Sequence, residues 1–228
     1  MTSRSRWRPR VFLLTGMALS LAGVVAVPAD AATVVGLWHM DDTGSVMNDS
    51  SPNNLDGRIS SNVVTGADGS IGAAFSFPTT PSTVTVPNST KLNPGTSTFT
   101  VTVRVMFTAN PSSSVGDFDL VRKGLSSTNG GNWKLEILRN GSAFCQFQGS
   151  SGKVTVSRGP DLSDGDWHTI SCTRYGSSVR LSVNGSATTK SGSTGTISNS
   201  TAMYIGAKST AGGDQFIGRM DELQITRG

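Results

Sequence analysis

Few side chains in this chain are equipped for chemistry. It has two histidines, His39 and His168, each directly after a tryptophan, two cysteines, Cys145 and Cys172, and two glutamates, Glu136 and Glu222. A zinc site needs three or four N, S or O ligands converging on one point, and neither an H-E-x-x-H nor a C-x-x-C pattern is present. Serine-nucleophile catalysis needs a histidine oriented by an acid, and no G-x-S-x-G elbow accompanies the serines, which suit turns and solvent-facing strand positions. Retaining glycoside hydrolysis needs two carboxyl groups about 5 Å apart, which a strand can supply from alternate residues as E-x-D-x-x-E. The segment WKLEILRNG offers Glu136 alone, with Lys134 and Leu138 beside it on that face. In MDEL the adjacent Asp221 and Glu222 point to opposite faces. These residues predict a protein that is not an enzyme.

The groups that remain belong to a chain read as exported. Arg4, Arg6, Arg8 and Arg10 precede the apolar run VFLLTGMALSLAGVVAV and the small-residue pattern Ala29-Asp30-Ala31. This is the form of a cleaved secretory signal peptide over residues 1–31, leaving residues 32–228 as one domain without an internal repeat or Pro-rich linker. The run is short for a membrane span and no stop-transfer cluster follows it, so the expected product is secreted and free of the membrane. The signal takes four of the 19 basic residues and one of the 15 acidic ones, leaving 15 against 14. A nearly neutral domain without a basic run argues against nucleic acid as a partner.

In an exported chain the two cysteines are expected to pair. Cys145 and Cys172 each lie in a strand-like run, AFCQF and TISCT, and the expectation is that these runs share a sheet. Hard oxygen ligands are more plentiful. The connection from Asp41 to Gly57 gathers four aspartates, Asp41, Asp42, Asp49 and Asp56, without the spacing of an EF-hand loop. If GLWHM runs antiparallel beside DELQI, Asp41 meets Asp221, and two carboxylates held so close repel unless a cation or a proton intervenes. A calcium ion on Asp41 and Asp221, completed by Asp49 or by carbonyls around Asn53 and Asn54, is one reading. Asx turns that cap the hairpins are the other.

The elements that must position these groups are strands. TFTVTVRVMF, residues 98–107, places Phe99, Val101, Val103, Val105 and Phe107 on one face and Thr100, Thr102, Arg104 and Met106 on the other. Similar runs recur at VVGLWHM, AAFSF, WKLEIL, AFCQF, KVTVS, HTISCTR, VRLSVNG and MDELQIT, most of them separated by Gly, Asn, Ser or Pro clusters. No segment shows sustained helical periodicity, and the pattern predicts an all-β antiparallel sandwich. In WHTISC, Trp167 is expected to plug the end of the core, with His168 as a hydrogen-bonded or solvated strand residue rather than a catalytic one.

The stretch DGDWHTISCTRYGSSVRLSVNG resembles the signature of laminin G-like domains of the concanavalin A-like lectin/glucanase superfamily, in which DGxWH leads into paired strands closed by a DG or NG turn. GLWHMDD, PNNLDGRI, GAAFSF with VTVPNSTKLN, DLVRKG and FIGRMDELQI fall in the order of that family, over nearly the whole mature chain. The resemblance implies a jelly-roll sandwich of two antiparallel sheets, and a single calcium ion of the kind many such relatives carry. It implies binding to sugars, proteins or sulfated glycans, or a purely structural module, because fold alone does not fix function. Within it, Phe118, Trp133, Tyr175 and Phe216 are aromatic candidates near loops. Trp133 shares a face with Leu135 and Ile137 and reads as core. Arg104, Lys123, Lys134 and Glu136 are the polar candidates for a concave ligand surface. The expected function is a secreted, non-catalytic binding module for polysaccharide or glycan. An extracellular protein-interaction or matrix domain is the alternative, and a divergent glycosidase the third reading.

Overall fold

In the computed structural model, which describes Met1, residues 32–79 and residues 81–228, the alternating segments form strands. In chain order these are β1 (Thr33–Trp38), β2 (Val46–Met47), β3 (Gly57–Ile59), β4 (Val64–Asp68), β5 (Ala73–Phe77), β6 (Val84–Val86), β7 (Phe99–Met106) and β8 (Phe118–Lys123). They continue as β9 (Asn132–Ile137), β10 (Ala143–Gly149), β11 (Gly152–Arg158), β12 (His168–Tyr175), β13 (Ser178–Val183), β14 (Ser186–Ser191), β15 (Met203–Ile205) and β16 (Gly218–Arg227). A short 3-10 helix covers Thr90–Leu92. The signal-peptide reading falls on residues 1–31, of which 2–31 lie outside the described residues.

Two antiparallel sheets result, as the alternation predicts. Sheet A runs β14-β13-β12-β7-β16-β5-β4, with β1 also paired to β16, and sheet B runs β11-β10-β9-β8-β15-β6-β3-β2. On β7, Phe99, Val101, Val103 and Val105 are buried, while Thr100 and Thr102 meet Thr173 and Ser171 of β12 across the outer face at 3.0 and 2.9 Å. Each large apolar side chain moved from water into the space between the sheets contributes about 1.5–3 kcal/mol. Close packing sets local limits: a Cβ on Gly36 would run into the Trp38 ring.

Three expectations about inward residues are corrected by this packing. Phe118 and Phe216 belong to the core, where they stack edge-to-face with each other and with Phe107 at centroid distances of 5.6 to 6.1 Å. On β12 it is His168 that turns inward with Ile170 and Cys172, while Trp167 is only half-buried. The apolar Ile170 and Cys172 fix which phase of the alternation faces in, and His168 is carried with them. Its nitrogens are satisfied there, Nε2 against Asp164 Oδ1 and Nδ1 against Asn184 Nδ2, both at 2.9 Å. Cys145 and Cys172 do form a disulfide, with Cα atoms 6.2 Å apart, but β10 and β12 lie in different sheets. The bond crosses the core because both cysteines occupy inward positions of strands that face each other. Trp133 is core as expected, its indole nitrogen donating to Leu92 O at 3.0 Å.

Candidate binding site

The outer face of sheet B carries a row of polar side chains set directly by strand register. Thr155 of β11 faces Gln146 of β10, Gln146 faces Lys134 of β9, Lys134 faces Arg122 of β8, Arg122 faces Tyr204 of β15, and Tyr204 faces Thr85 of β6. A second row runs from Phe144 through Glu136 to Asp119. Over these rows lies a cavity of about 200 Å³ lined by Arg122, Leu125, Ser126, Ser127, Lys134, Gln146, Lys208 and Asp214. A neighbouring cavity of about 300 Å³ shares Arg122, Leu125 and Lys208 and adds Tyr204. Together they make a cleft bounded by residues 124–128 on one side and 208–214 on the other.

A β-bulge is what builds the floor of this cleft. In a regular strand Asp119 and Arg122, three residues apart, would point to opposite faces. The pairing of β8 with β9 shifts between Asp119 and Val121, so Leu120 and Val121 are both buried while Asp119 and Arg122 both face outward. Asp119 then stands opposite Glu136 and Arg122 opposite Lys134. Arg122 Nη1 donates to Asp119 Oδ2 and Lys134 Nζ to Glu136 Oε1, each at 2.5 Å.

The two acids are enclosed, with 0% and 1% of Asp119 and Glu136 exposed. Burial pushes the Glu136 carboxyl up to about 8, reinforced by the charge and hydrogen bond of Asp119, and the pull of Lys134 does not cancel it. Burial likewise raises Asp119, against the attraction of Arg122. Among the described residues the remaining oxygens, Asp119 Oδ1 and Glu136 Oε2, have no other donor, and with both carboxyls raised the pair holds one proton between them. Two carboxyl groups in mutual contact under a lid of cations leave no gap for a glycosidic bond, unlike the separated pair of a glycosidase.

Polar capacity is left over at the cleft wall. Arg122 sends Nε to Gly124 O and Nη1 to Asp119, and among the described residues Nη2 has no partner. Gln146 gives its amide nitrogen to Asn132 Oδ1 at 2.7 Å, and among the described residues its carbonyl oxygen has no donor. Lys134 stands 5.4 Å from the centre of the Phe144 ring, and Lys208 pairs with Asp214 at 3.1 Å. A larger hollow of about 480 Å³ over Asn88, Asn93, Ser198 and Asn199 offers less. The amides of Asn93 and Asn199 are spent on Asn199 O and Gly131 O.

Of the four polar candidates, the structure keeps two together. Lys134 lines the cleft and Glu136 lies beneath it. Lys123 points the other way, paired with Trp133 across the ladder and buried, with Nζ held at 2.8 to 2.9 Å by Asn88 Oδ1, Asn199 O, Asn199 Oδ1 and Thr201 O. Burial pushes this amine down to about 8, while four acceptor oxygens favour its charged form. It is an internal cation that ties two loops, not a ligand group. Arg104 lies on the outer face of sheet A, on the other side of the sandwich, where Nη1 donates to Ser70 Oγ at 3.2 Å. Tyr175, the remaining aromatic candidate, is exposed at the end of β12 away from the cleft lining. Asp119, Arg122, Gln146, Tyr204, Lys208 and Asp214 were not singled out by sequence reasoning, although DLVRKG held the first two.

The expected meeting of the first and last strands occurs: β1 pairs antiparallel with β16, Trp38 opposite Leu223. Asp41 and Asp221 grip one turn from two sides, Asp41 Oδ1 accepting from Ala73 N and Asp221 Oδ2 from Ser70 N, Ser70 Oγ and Ile71 N. His39, bonded to Glu222, is raised above its ordinary value by that bond first, and Asp41 and Asp221 add to the effect. Asp221 Oδ1 is buried and has no donor among the described residues, and the residues flanking the two aspartates, Met40 and Glu222, hold left-handed φ of 60° and 51°. Asp49 is corrected: its oxygens are filled by Leu37 N, Ser51 N, Ser51 Oγ and Leu55 N, which makes it the organiser of its own turn. Among the described residues no group of three or more His, Cys, Asp or Glu side chains converges as a metal site. A calcium ion takes carbonyl oxygens as readily as carboxylates, so an orphaned carboxylate oxygen beside strained backbone fits one.

Comparison with known proteins agrees with this architecture. A laminin G-type family model, described as the concanavalin A-like lectin/glucanases superfamily, matches residues 78–228, and the chain belongs to that superfamily. Among solved structures it is similar to the binding domain of Paraclostridial Mosquitocidal Protein 1, with 19% identity and a TM-score of 0.67 over 85% of this chain and 48% of that one. The botulinum neurotoxin serotype D binding domain matches with 14% identity and a TM-score of 0.65 over 85% and 47%. Domain 4 of AbnA, a GH43 extracellular arabinanase from Geobacillus stearothermophilus solved in complex with arabinotriose, matches with 18% identity and a TM-score of 0.66 over 86% and 93%. The chain thus spans about half the length of the toxin domains and nearly all of the arabinanase domain, and at these identities the likeness is one of fold. No curated protein sequence matches it. Among the described residues no helix is long and apolar enough to cross a membrane.

Proposed function

We propose that this chain is a secreted, non-catalytic binding module that takes a polysaccharide or glycan chain in the cleft on the outer face of sheet B. The observation that carries the reading is the convergence of unspent polar groups on one hollow. Arg122 Nη2, Lys134 Nζ and the Gln146 carbonyl oxygen meet there with two serine hydroxyls and, next door, the Tyr204 ring. Sugar hydroxyls require such directional donors and acceptors, and an aromatic face beside them supplies apolar contact. The arabinanase domain that matches over nearly its whole length was solved with an oligosaccharide, which supports a saccharide ligand here. The buried, proton-sharing Asp119–Glu136 pair supports a non-catalytic role. The disulfide supports an oxidising, extracellular setting.

A structural calcium ion at the β1–β16 edge is part of the same proposal. Asp221 Oδ1 and Asp41 would hold it, and its charge would fix the turn at residues 70–73 without taking part in the cleft. An oligosaccharide array probed with and without calcium tests the main reading, followed by titration of the best ligand into Gln146→Ala and Arg122→Lys proteins. Each substitution should weaken binding by about fivefold or more. Unchanged binding in both variants would put the ligand elsewhere on the domain, and silence across the array would favour an extracellular protein partner.

A further inference from the structure

We propose that the cleft selects an acidic saccharide, a uronate-type sugar whose carboxylate is held between Arg122 and Lys134. This rests on the reading of the cleft as a glycan site and names the class of glycan. The charges facing the hollow can be assigned element by element. From β8 comes Arg122, with Asp119 beneath it, from β9 Lys134, with Glu136 beneath it, and from residues 208–214 Lys208 and Asp214. β10 contributes the uncharged Gln146, and the 124–128 side contributes Leu125, Ser126 and Ser127. Lys208 is matched by Asp214 at 3.1 Å, and Arg122 by Asp119 at 2.5 Å. Lys134 faces Glu136, but Glu136 and Asp119 lie buried beneath the cations and do not line the hollow, whose lining holds Arg122, Lys134 and Lys208 against Asp214 alone. Of these cations, Lys134 has for a counter-charge only a buried carboxyl of the dyad, both of whose acids are pushed toward the protonated form.

That cation is poorly placed to be balanced by solvent alone, because its side chain is 19% exposed. A half-buried ammonium next to an unused guanidinium nitrogen is a site for an anion that brings two or more oxygens. A planar sugar carboxylate can accept from Arg122 Nη2 through one oxygen and from Lys134 Nζ through the other, while ring hydroxyls reach Gln146 and the serines.

The same charge balance gives a dependence on pH. Below about 8 the dyad keeps its proton and the excess positive charge remains. As pH rises through that value Glu136 ionises, Lys134 acquires a counter-ion, and the attraction for an anion declines.

The experiment is calorimetric titration with three probes at pH 7 and pH 9: an oligogalacturonate, its fully methyl-esterified form, and a sulfated oligosaccharide of the same length. The acid should bind about tenfold more tightly than its ester at pH 7, lose most of that advantage at pH 9, and exceed the sulfated probe. In Lys134→Met the ratio of acid to ester should approach one. In Glu136→Gln, whose amide copies the protonated acid, affinity for the acid should be the same at pH 7 and pH 9. Circular dichroism of each variant separates lost binding from lost fold, and the exposed Lys208→Ala gives a second charge deletion without fold risk. Equal binding of acid and ester overturns this inference and leaves the cleft reading standing. Tighter binding of the sulfated probe overturns the choice of carboxylate, and binding of no saccharide overturns the cleft reading itself.

Discussion

Replacing Glu136 by glutamine should flatten the dependence of stability on pH. In the unfolded chain Glu136 ionises near its ordinary 4.5, while in the folded protein burial and Asp119 push it to about 8. Between those values the folded state holds a proton that the unfolded state has released, so stability is fully present below 4.5 and declines as pH rises toward 8. The slope reaches about 1.4 kcal/mol per pH unit, which makes the loss between pH 5.5 and 7.5 about 2–3 kcal/mol. For a domain of this size that is about 5–10 °C in Tm. Glutamine presents a donor to Asp119 and an acceptor to Lys134 at every pH, so this contribution vanishes in the variant. His39, raised by Glu222, also contributes stability at low pH that is lost as pH rises through its folded value, but it does so equally in both proteins. The difference between them isolates Glu136. Urea denaturation of wild type and Glu136→Gln at pH 5.5, 6.5 and 7.5 measures it. Parallel pH profiles, or a variant several kcal/mol weaker at pH 5.5, would refute the shared proton.

Three further outcomes are expected. Removing both cysteines, by Cys145→Ala with Cys172→Ala, should cost about 3.5 kcal/mol in urea denaturation, the loop-closure value for a separation of 27 residues. Lys123→Met should lower stability by about 1–3 kcal/mol, read from the same curves, because it takes the ammonium donor from Thr201 O, while Asn199 O keeps Asn93 Nδ2 and Asn199 Oδ1 keeps the Thr201 amide and hydroxyl. Calorimetric titration of the chelated protein with calcium should show one binding event that raises Tm and is absent in Asp221→Ala. No heat in the wild type would leave Asp41 and Asp221 as turn anchors only.

Local periodicity made most of the strands legible, and non-local pairing hid the rest. β7 could be read residue by residue because apolar and polar positions alternate without interruption. On β12 the alternation was equally clear, but two phases are always available, and only the packing of Ile170 and Cys172 against sheet B decides that His168 rather than Trp167 turns inward. The two cysteines could be paired by number, whereas their sheets depend on strand order. Asp41 was placed beside the last strand from antiparallel geometry alone. The cleft floor was not readable, because Asp119 and Arg122 share a face only through a bulge fixed by the register of β8 against β9 and by the bridge from Asp119 to Gln215. Lys123 was misplaced for a related reason: beyond the bulge, the phase of β8 is reversed.

In the proposed role of holding a polymer, the disulfide has a mechanical consequence. Tension on a ligand seated at Gln146 is first borne by β9 and β10. Cys145, the next residue along β10, passes that load through a covalent bond to Cys172 and so to β12 and β7 at the middle of sheet A. The sheets then resist being peeled apart as one body, instead of yielding contact by contact through weak dispersion forces. A reductant would leave the cleft's side chains in place and yet turn a firm grip into one that gives way under pull.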